Sequence, residues 1–239
     1  MNLIPYVSEH DVVRWEQVLS RIEPIIAADI AEKRLQRGRR IGQHFRNSLH
    51  SGLLAYAKGD KCVTLRAFNE AVTRFMLFLD SENAQEVDLT HIHSASAEVL
   101  EIALIAHSPC LTTVAQNLLP LHVEQRDPRS VYVRAVSFLI LGDRDSATTE
   151  AAALVKLNSR EFGKAIPVAI LAITNGIPNV FLENVQAAMN DFDTLCATEA
   201  RGTPEAVIFL SGVALIKLYE RCNGEKILGT DLDVRLMPG

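Results

Sequence analysis

Cysteine is scarce and scattered in this chain. Cys62, Cys110, Cys196 and Cys222 form no C-x-x-C pair, which excludes a zinc cluster of that type and a dithiol redox motif. The four read as small core residues in a reducing compartment. Long apolar runs are also missing. The longest, "AVIFLSGVALI" between Glu205 and Lys217, is 11 residues, whereas a bilayer crossing needs about 20. The opening "MNLIPYVSEHDVV" has neither a basic region nor the apolar run of a signal peptide, so a cytoplasmic location is expected. Catalytic signatures are absent in the same way. There is no H-E-x-x-H, no Glu followed three residues later by His, and no Gly-rich phosphate loop after a predicted strand. The chain is therefore read as no enzyme, with no cofactor.

What is present is an apolar helical pattern. With 239 residues and 48% hydrophobic side chains, one large core is affordable, and a single domain over 1–239 is expected. Ser8 is placed as the cap of a first helix whose Val12, Trp15, Val18, Leu19 and Ile22 share a face, and Pro24 opens a second that Gly38 ends. These make an N-terminal helix pair, 8–37. Over 39–222 more pairs follow. Ile41, Phe45, Leu49, Leu53 and Tyr56 recur at helical steps, as do Leu65, Phe68, Val72, Phe75 and Leu79. "SENAQEVDLTHIH" reads as a polar loop, followed by helices at 94–107 and, capped by Ser108 with Pro109 in its first turn, at 108–119. Pro120 and Pro128 break the chain. Helices at 130–141 and up to Leu157 come next, then one from Arg160 capped by Asn158 or Ser159 and kinked or delayed by Pro167. A helix at 180–200 and a last one from the Thr203 cap and Pro204 to Cys222 close at Asn223-Gly224, leaving 223–239 as an extended tail.

Two corners carry the architecture. Gly59-Asp60 and Gly142-Asp143 each sit between apolar helical segments, where glycine accepts the left-handed backbone that ends one helix and aspartate caps the next. About ten helices in sequential pairs describe an all-α fold of stacked antiparallel helix pairs, an α-solenoid. The tetratricopeptide pattern is only partly matched. Gly52, Phe68 and Ala71 fit its small and aromatic positions around Gly59, but only Phe138 and Ala147 fit around Gly142. The repeat is degenerate.

Charge is distributed unevenly. Residues 1–80 carry 12 Lys+Arg against 9 Asp+Glu, a balance of +3, and the remainder carries 12 against 20, or −8, giving −5 in all. Arg34, Arg37, Arg39, Arg40 and Arg46 form the basic segment 33–46. No aromatic platform accompanies them, so a solvated helix junction is preferred to a polyanion site, and neither a nucleic-acid nor a membrane partner is expected. His91 and His93, two apart, point to different sides of a helical turn and are not read as a metal site. Glu98 and Glu101 share a helix face, which a hydrolase could use, but are read as a solvated edge. Ser211 in "LSGVAL" is read as a packing residue. The remaining candidate is acidic. Glu183, Asp191, Asp193, Glu199 and Glu205, with Asp231 and Asp233 in the tail, could face a basic partner or be an ordinary solvated surface.

The segments "VYVRAVSFLILGDRDSATTEAAAL", "AMNDFDTLCATEARGTPEAVIFLSGVALIKLYERCNGEKI" and "LGTDLDVRLMPG", in this order, resemble the bacterial immunity protein 49 family of polymorphic toxin systems. The resemblance runs from about residue 40 onward. It implies a non-enzymatic antidote that binds and neutralises a cognate toxin domain encoded beside it. A nuclease is one such toxin, since its basic substrate channel would meet the acidic residues. No site residue transfers from the family. The rival reading is a tetratricopeptide-like adaptor or chaperone that holds peptide segments in a concave groove.

Overall fold

Both Gly-Asp corners close helical hairpins in the computed structural model, which describes residues 6–31, 38–79 and 89–227, with side chains at 6–28, 44–77, 79 and 92–227. Gly59 and Gly142 are left-handed, with φ of 79° and 85°. Asp60 N donates to Ala55 O at 2.9 Å, and Asp143 N donates to Phe138 O at 2.9 Å, so each corner returns an amide to the last turn of the helix before it. The aspartates then cap forward. Val63 N donates to Asp60 Oδ1 and Ser146 N to Asp143 Oδ1, both at 3.0 Å.

The described residues form ten α-helices and no strand: α1 (Glu9–Ala31), α2 (Gly38–Ala57), α3 (Lys61–Leu79), α4 (Leu89–Ile105), α5 (Leu111–His122), α6 (Pro128–Leu141), α7 (Arg144–Leu157), α8 (Ala165–Asn175), α9 (Pro178–Thr198) and α10 (Leu210–Asn223). None is long and apolar enough to cross a membrane. The all-α architecture of packed neighbouring helices is as expected.

Several boundaries differ from the sequence reading, and proline explains most of them. Pro24 does not open a second helix but lies inside α1. Its ring removes the hydrogen bond to the carbonyl of Ser20. Both residues are exposed, so water takes that carbonyl, and buried Trp15 and Ile26 hold the helix on either side. Pro120 behaves alike. It lies inside α5, it and Gln116 are exposed, and buried His122 secures the last turn. Ser108 caps a turn, not α5. Its Oγ accepts from Cys110 N at 3.4 Å, and its own amide closes a corner onto Ala103 O at 2.9 Å through left-handed His107. Asn158, also left-handed, ends α7, and Pro167 does delay the next helix, which starts at Ala165. Thr203 and Pro204 begin only a 3-10 turn, Pro204–Ala206. Buried Val207 and Ile208 follow it, and α10 starts only at Leu210. Leu89–His93, read as loop, already belong to α4. Ser8 forms the expected cap, its Oγ accepting from Asp11 N at 3.2 Å while Asp11 Oδ2 accepts from Ser8 N at 3.0 Å. Gly224, left-handed, closes α10. The tail beyond residue 227 lies outside the described residues.

The chain, read from sequence as one domain, divides into two compact units. One comprises the described residues up to 95 together with 195–208, and the other 96–194 together with 209–227. Two of the divisions fall inside α4 and α9, and the third, at 208/209, in the short non-helical segment before α10. In unit 1, α2 packs on α3 and α1 on α2, around Phe45, Leu53, Phe68, Val72 and Phe75. Gly52 is required there, since a Cβ at that position would lie 2.5 Å from the Phe68 ring. In unit 2, α5, α6, α7 and α8 pack in succession and α10 lies on α6 and α8. Its aromatic pairs are stacked, Tyr132 on Phe162 at 4.5 Å and Phe181 on Tyr219 at 4.6 Å.

Candidate functional site

Helical geometry separates the acidic residues singled out in the sequence. On α9, Glu183 and Asp191 stand about 80° apart around the axis, but Asp193 is about 160° from Asp191. Glu183 and Asp191 are exposed, and Asp193 is half-buried. These three belong to unit 2. Glu199 and Glu205, both exposed, belong to unit 1. Glu199 lies just past α9, its amide donating to Leu195 O at 2.9 Å. Glu205 Oε1 is 3.4 Å from His50 Nε2, and the hydrogen bond with His50 holds its carboxyl well below the usual range. The Glu205 side chain is 65% exposed, so solvent weakens that pairing. Asp231 and Asp233 lie outside the described residues, as do Arg34 and Arg37 of the basic segment; Arg46 is exposed. On α9, Glu183 lies about 80° from each of the two aspartates, and of the three only Glu183 and Asp191 are exposed.

The structure corrects the reading of Glu101 as part of a solvated edge, for Glu101 is 4% exposed. It sits on α4 among fully buried Val99, Leu100, Ile102 and Ala103, so the helix is apolar almost all round. Tyr132 from α6 donates its hydroxyl to Glu101 Oε1 at 2.9 Å, and Ser211 from α10 donates to the same oxygen at 2.6 Å. Ser211 is thus a polar partner and not only a small packing residue. Burial lifts the Glu101 carboxyl to about 7; the Ser211 and Tyr132 hydroxyls oppose the rise, and the Glu98 charge adds to it. Burial raises the Tyr132 phenol too, which keeps it a donor. The sequence signal was the apolar run around the residue, "EVLEIALI", which a solvated edge does not have.

A second buried cluster, which sequence reasoning missed, lies in the same unit. His122 Nδ1 is 2.8 Å from Ser130 Oγ, and Nε2 is 3.0 Å from Ser96 Oγ. In the neutral ring one nitrogen donates and the other accepts, which orders the two hydroxyls in opposite senses. His122 and Ser96 are 0% exposed and Ser130 is 1% exposed, so this serine–histidine pairing joins α4, α5 and α6 out of reach of solvent. Arg134, 3% exposed, donates to His122 O, to Gln125 O at 2.7 Å and to Glu150 Oε2 at 2.7 Å. It satisfies carbonyls at the end of α5 that the helix itself leaves open. Among the described residues no three His, Cys, Asp or Glu side chains are placed to hold a metal ion.

Buried carboxyl, histidine and guanidinium groups thus fix the helices of unit 2 to one another, and its outer face presents Glu183 and Asp191. Comparison of the chain with models of known protein families, with curated proteins and with solved structures finds no match.

Proposed function

We propose that the chain is an immunity protein, an antidote that acts in the cytoplasm and neutralises a cognate bacterial toxin domain by non-catalytic binding. The observation that carries this reading is α9. Phe181, Val185, Ala188 and Met189 are buried along one side of the helix, while Glu183 and Asp191 project from the other. The helix that carries these acidic groups is anchored by its buried side before any partner arrives, and a preformed backbone loses little entropy on binding. The excess of −8 over residues 81–239 would steer a basic surface, such as the substrate channel of a nuclease, toward it. The order of segments shared with the immunity protein 49 family supports the same reading.

The test is co-expression with the separate C-terminal domain of the protein encoded immediately upstream. The reading expects a stoichiometric complex, rescue of cells from that domain, and weaker binding by Glu183→Lys and Asp191→Lys, chiefly through a slower on-rate at low salt. If the neighbour is not toxic, or no complex forms, the reading is lost.

A further inference from the structure

Glu101 ties three helices together through one oxygen. The carboxyl stands on α4, and its Oε1 accepts from Tyr132 on α6 and from Ser211 on α10. Both partners are neutral hydroxyls. The charged groups that face the carboxyl are Glu98 on α4, which repels a carboxylate, and Arg129 on α6, which attracts one but is hydrogen-bonded to Glu161 at 2.8 Å. A carboxylate here loses its water and gains no matched cation, so this packing favours the neutral acid.

The two hydroxyls are not held with equal strength. Tyr132 is fully buried within α6 and stacked on Phe162. Ser211 is half-buried in the first turn of α10, just after the non-helical residues 207–209. Phe209, the residue before the helix, gives the open amides of that turn no side-chain cap. Its ring is the other anchor, stacked on Phe192 of α9 at 5.0 Å and lying so near Gly212 that a Cβ there would come within 2.4 Å of it. Residues 212–216 are buried without a break. The part of α10 that can leave without opening the core is therefore its start, at 209–211.

We propose that the start of α10 is a latch operated by Glu101: the neutral acid holds Ser211 and keeps the turn closed, whereas loss of its proton to water lets the turn open and hydrate the carboxylate. Burial lifts Glu101 in the closed form to about 7, and a hydrated carboxyl in the open form returns toward about 4.5. The closed form thus binds more protons. Its advantage is complete below about 4.5, is lost as pH rises through about 7, and is constant above that. Each pH unit between those two values multiplies the opening constant about tenfold. The latch does not rest on the antidote reading.

Hydrogen exchange of the full chain from about pH 5 to about pH 8, followed by NMR and corrected for the chemical exchange rate, tests it. The reporters are the amides of Val213, Ala214 and Leu215, which helical bonding pairs with the carbonyls of Phe209, Leu210 and Ser211. Their protection should fall about tenfold per pH unit up to about pH 7 and then level off. The same fall should appear in about 0.5 M urea, because a local opening exposes little surface. In Glu101→Gln, which cannot ionise, protection should be independent of pH. In Ser211→Ala, which removes the tie, it should already be about tenfold lower at the acid end. Protection that ignores pH in the parent protein overturns the proposal, since the carboxylate is then accommodated with α10 in place. A pH response that urea deepens also overturns it, because Glu101 is then hydrated only by global unfolding. Unchanged protection in Ser211→Ala does the same, for the stack of Phe209 on Phe192 would then hold the turn by itself.

Discussion

In unit 2, Glu101 is 4% exposed and gives one oxygen to the hydroxyls of Tyr132 and Ser211, while in unit 1 Glu205 leaves 65% of its side chain in water beside His50. Burial lifts the first carboxyl to about 7, and the hydrogen bond with His50 draws the second well below its usual range. The same chemical group titrates in opposite directions because desolvation dominates at one place and a partner at the other. A parallel difference runs through the other buried polar groups. In unit 2, His122, Ser130, Ser96 and Arg134 satisfy one another or nearby carbonyls, and Ser137 Oγ is an exception. In unit 1, Asn47 Nδ2 and Ser48 Oγ are buried with no hydrogen-bond partner.

The contrast breaks most visibly at Arg134. Arg134→Met leaves the Gln125 carbonyl and the Glu150 carboxylate without the guanidinium, and the His122 carbonyl with only the Gln125 amide. The expected loss is about 3–5 kcal/mol, measured by urea unfolding. Adding Glu150→Met should recover part of it, because the uncompensated charge then goes too.

Glu101→Gln is next in size. A carboxyl whose folded value is raised binds more protons in the folded state, so its contribution is complete below about 4.5 and is lost as pH rises through about 7. Stability should therefore fall by about 3 kcal/mol across that window, and Glu101→Gln should remove the fall. An unchanged pH profile in the variant would show that Glu101 is solvated, and the difference between the units would disappear.

Local chemistry was the legible part of this fold. Gly59, Asp60, Gly142, Asp143, Ser8 and Gly224 act where short-range rules place them, because caps and left-handed corners depend on only a few neighbouring residues. The prolines at 24 and 120 were read as breaks because their cost in a helix is local, whereas the buried residues on either side that outweigh it are not. His107 turns its corner without glycine and so gave no signal, whereas Asn158 was read as a cap of the following helix and instead ends α7. Glu101 was missed because its i, i+3 spacing from Glu98 describes one helix, and the burial comes from α6 and α10. The acidic residues of 183–205 are near in sequence, but their grouping dissolves once Asp191 and Asp193 are wound onto α9.

Smaller effects test how closely unit 1 is packed. Gly52→Ala forces a methyl against the Phe68 ring, where a Cβ would approach to 2.5 Å, and should cost about 1–3 kcal/mol. Gly59→Ala meets open space and carries only the strain of a positive φ, about 1–2 kcal/mol. Equal midpoints in denaturant for Gly52→Ala and the parent protein would mean that Phe68 moves aside and the core there is loose.

Glu205 should show the smallest effect, and its sign is the informative part. A carboxyl held below its ordinary value contributes stability above about 4.5 and loses it as pH falls through the lowered folded value. The contribution should stay under about 1 kcal/mol, because water screens a pair this exposed. Glu205→Gln should therefore lower stability slightly near neutral pH and have no effect in acid, the reverse of Glu101→Gln, which raises it near neutrality. About 1 M salt should erase the Glu205 difference and leave that of Glu101, since screening reaches the surface pair and not the buried carboxyl. If both variants bend the pH profile the same way, the two carboxyls share one environment and partner strength does not separate the units.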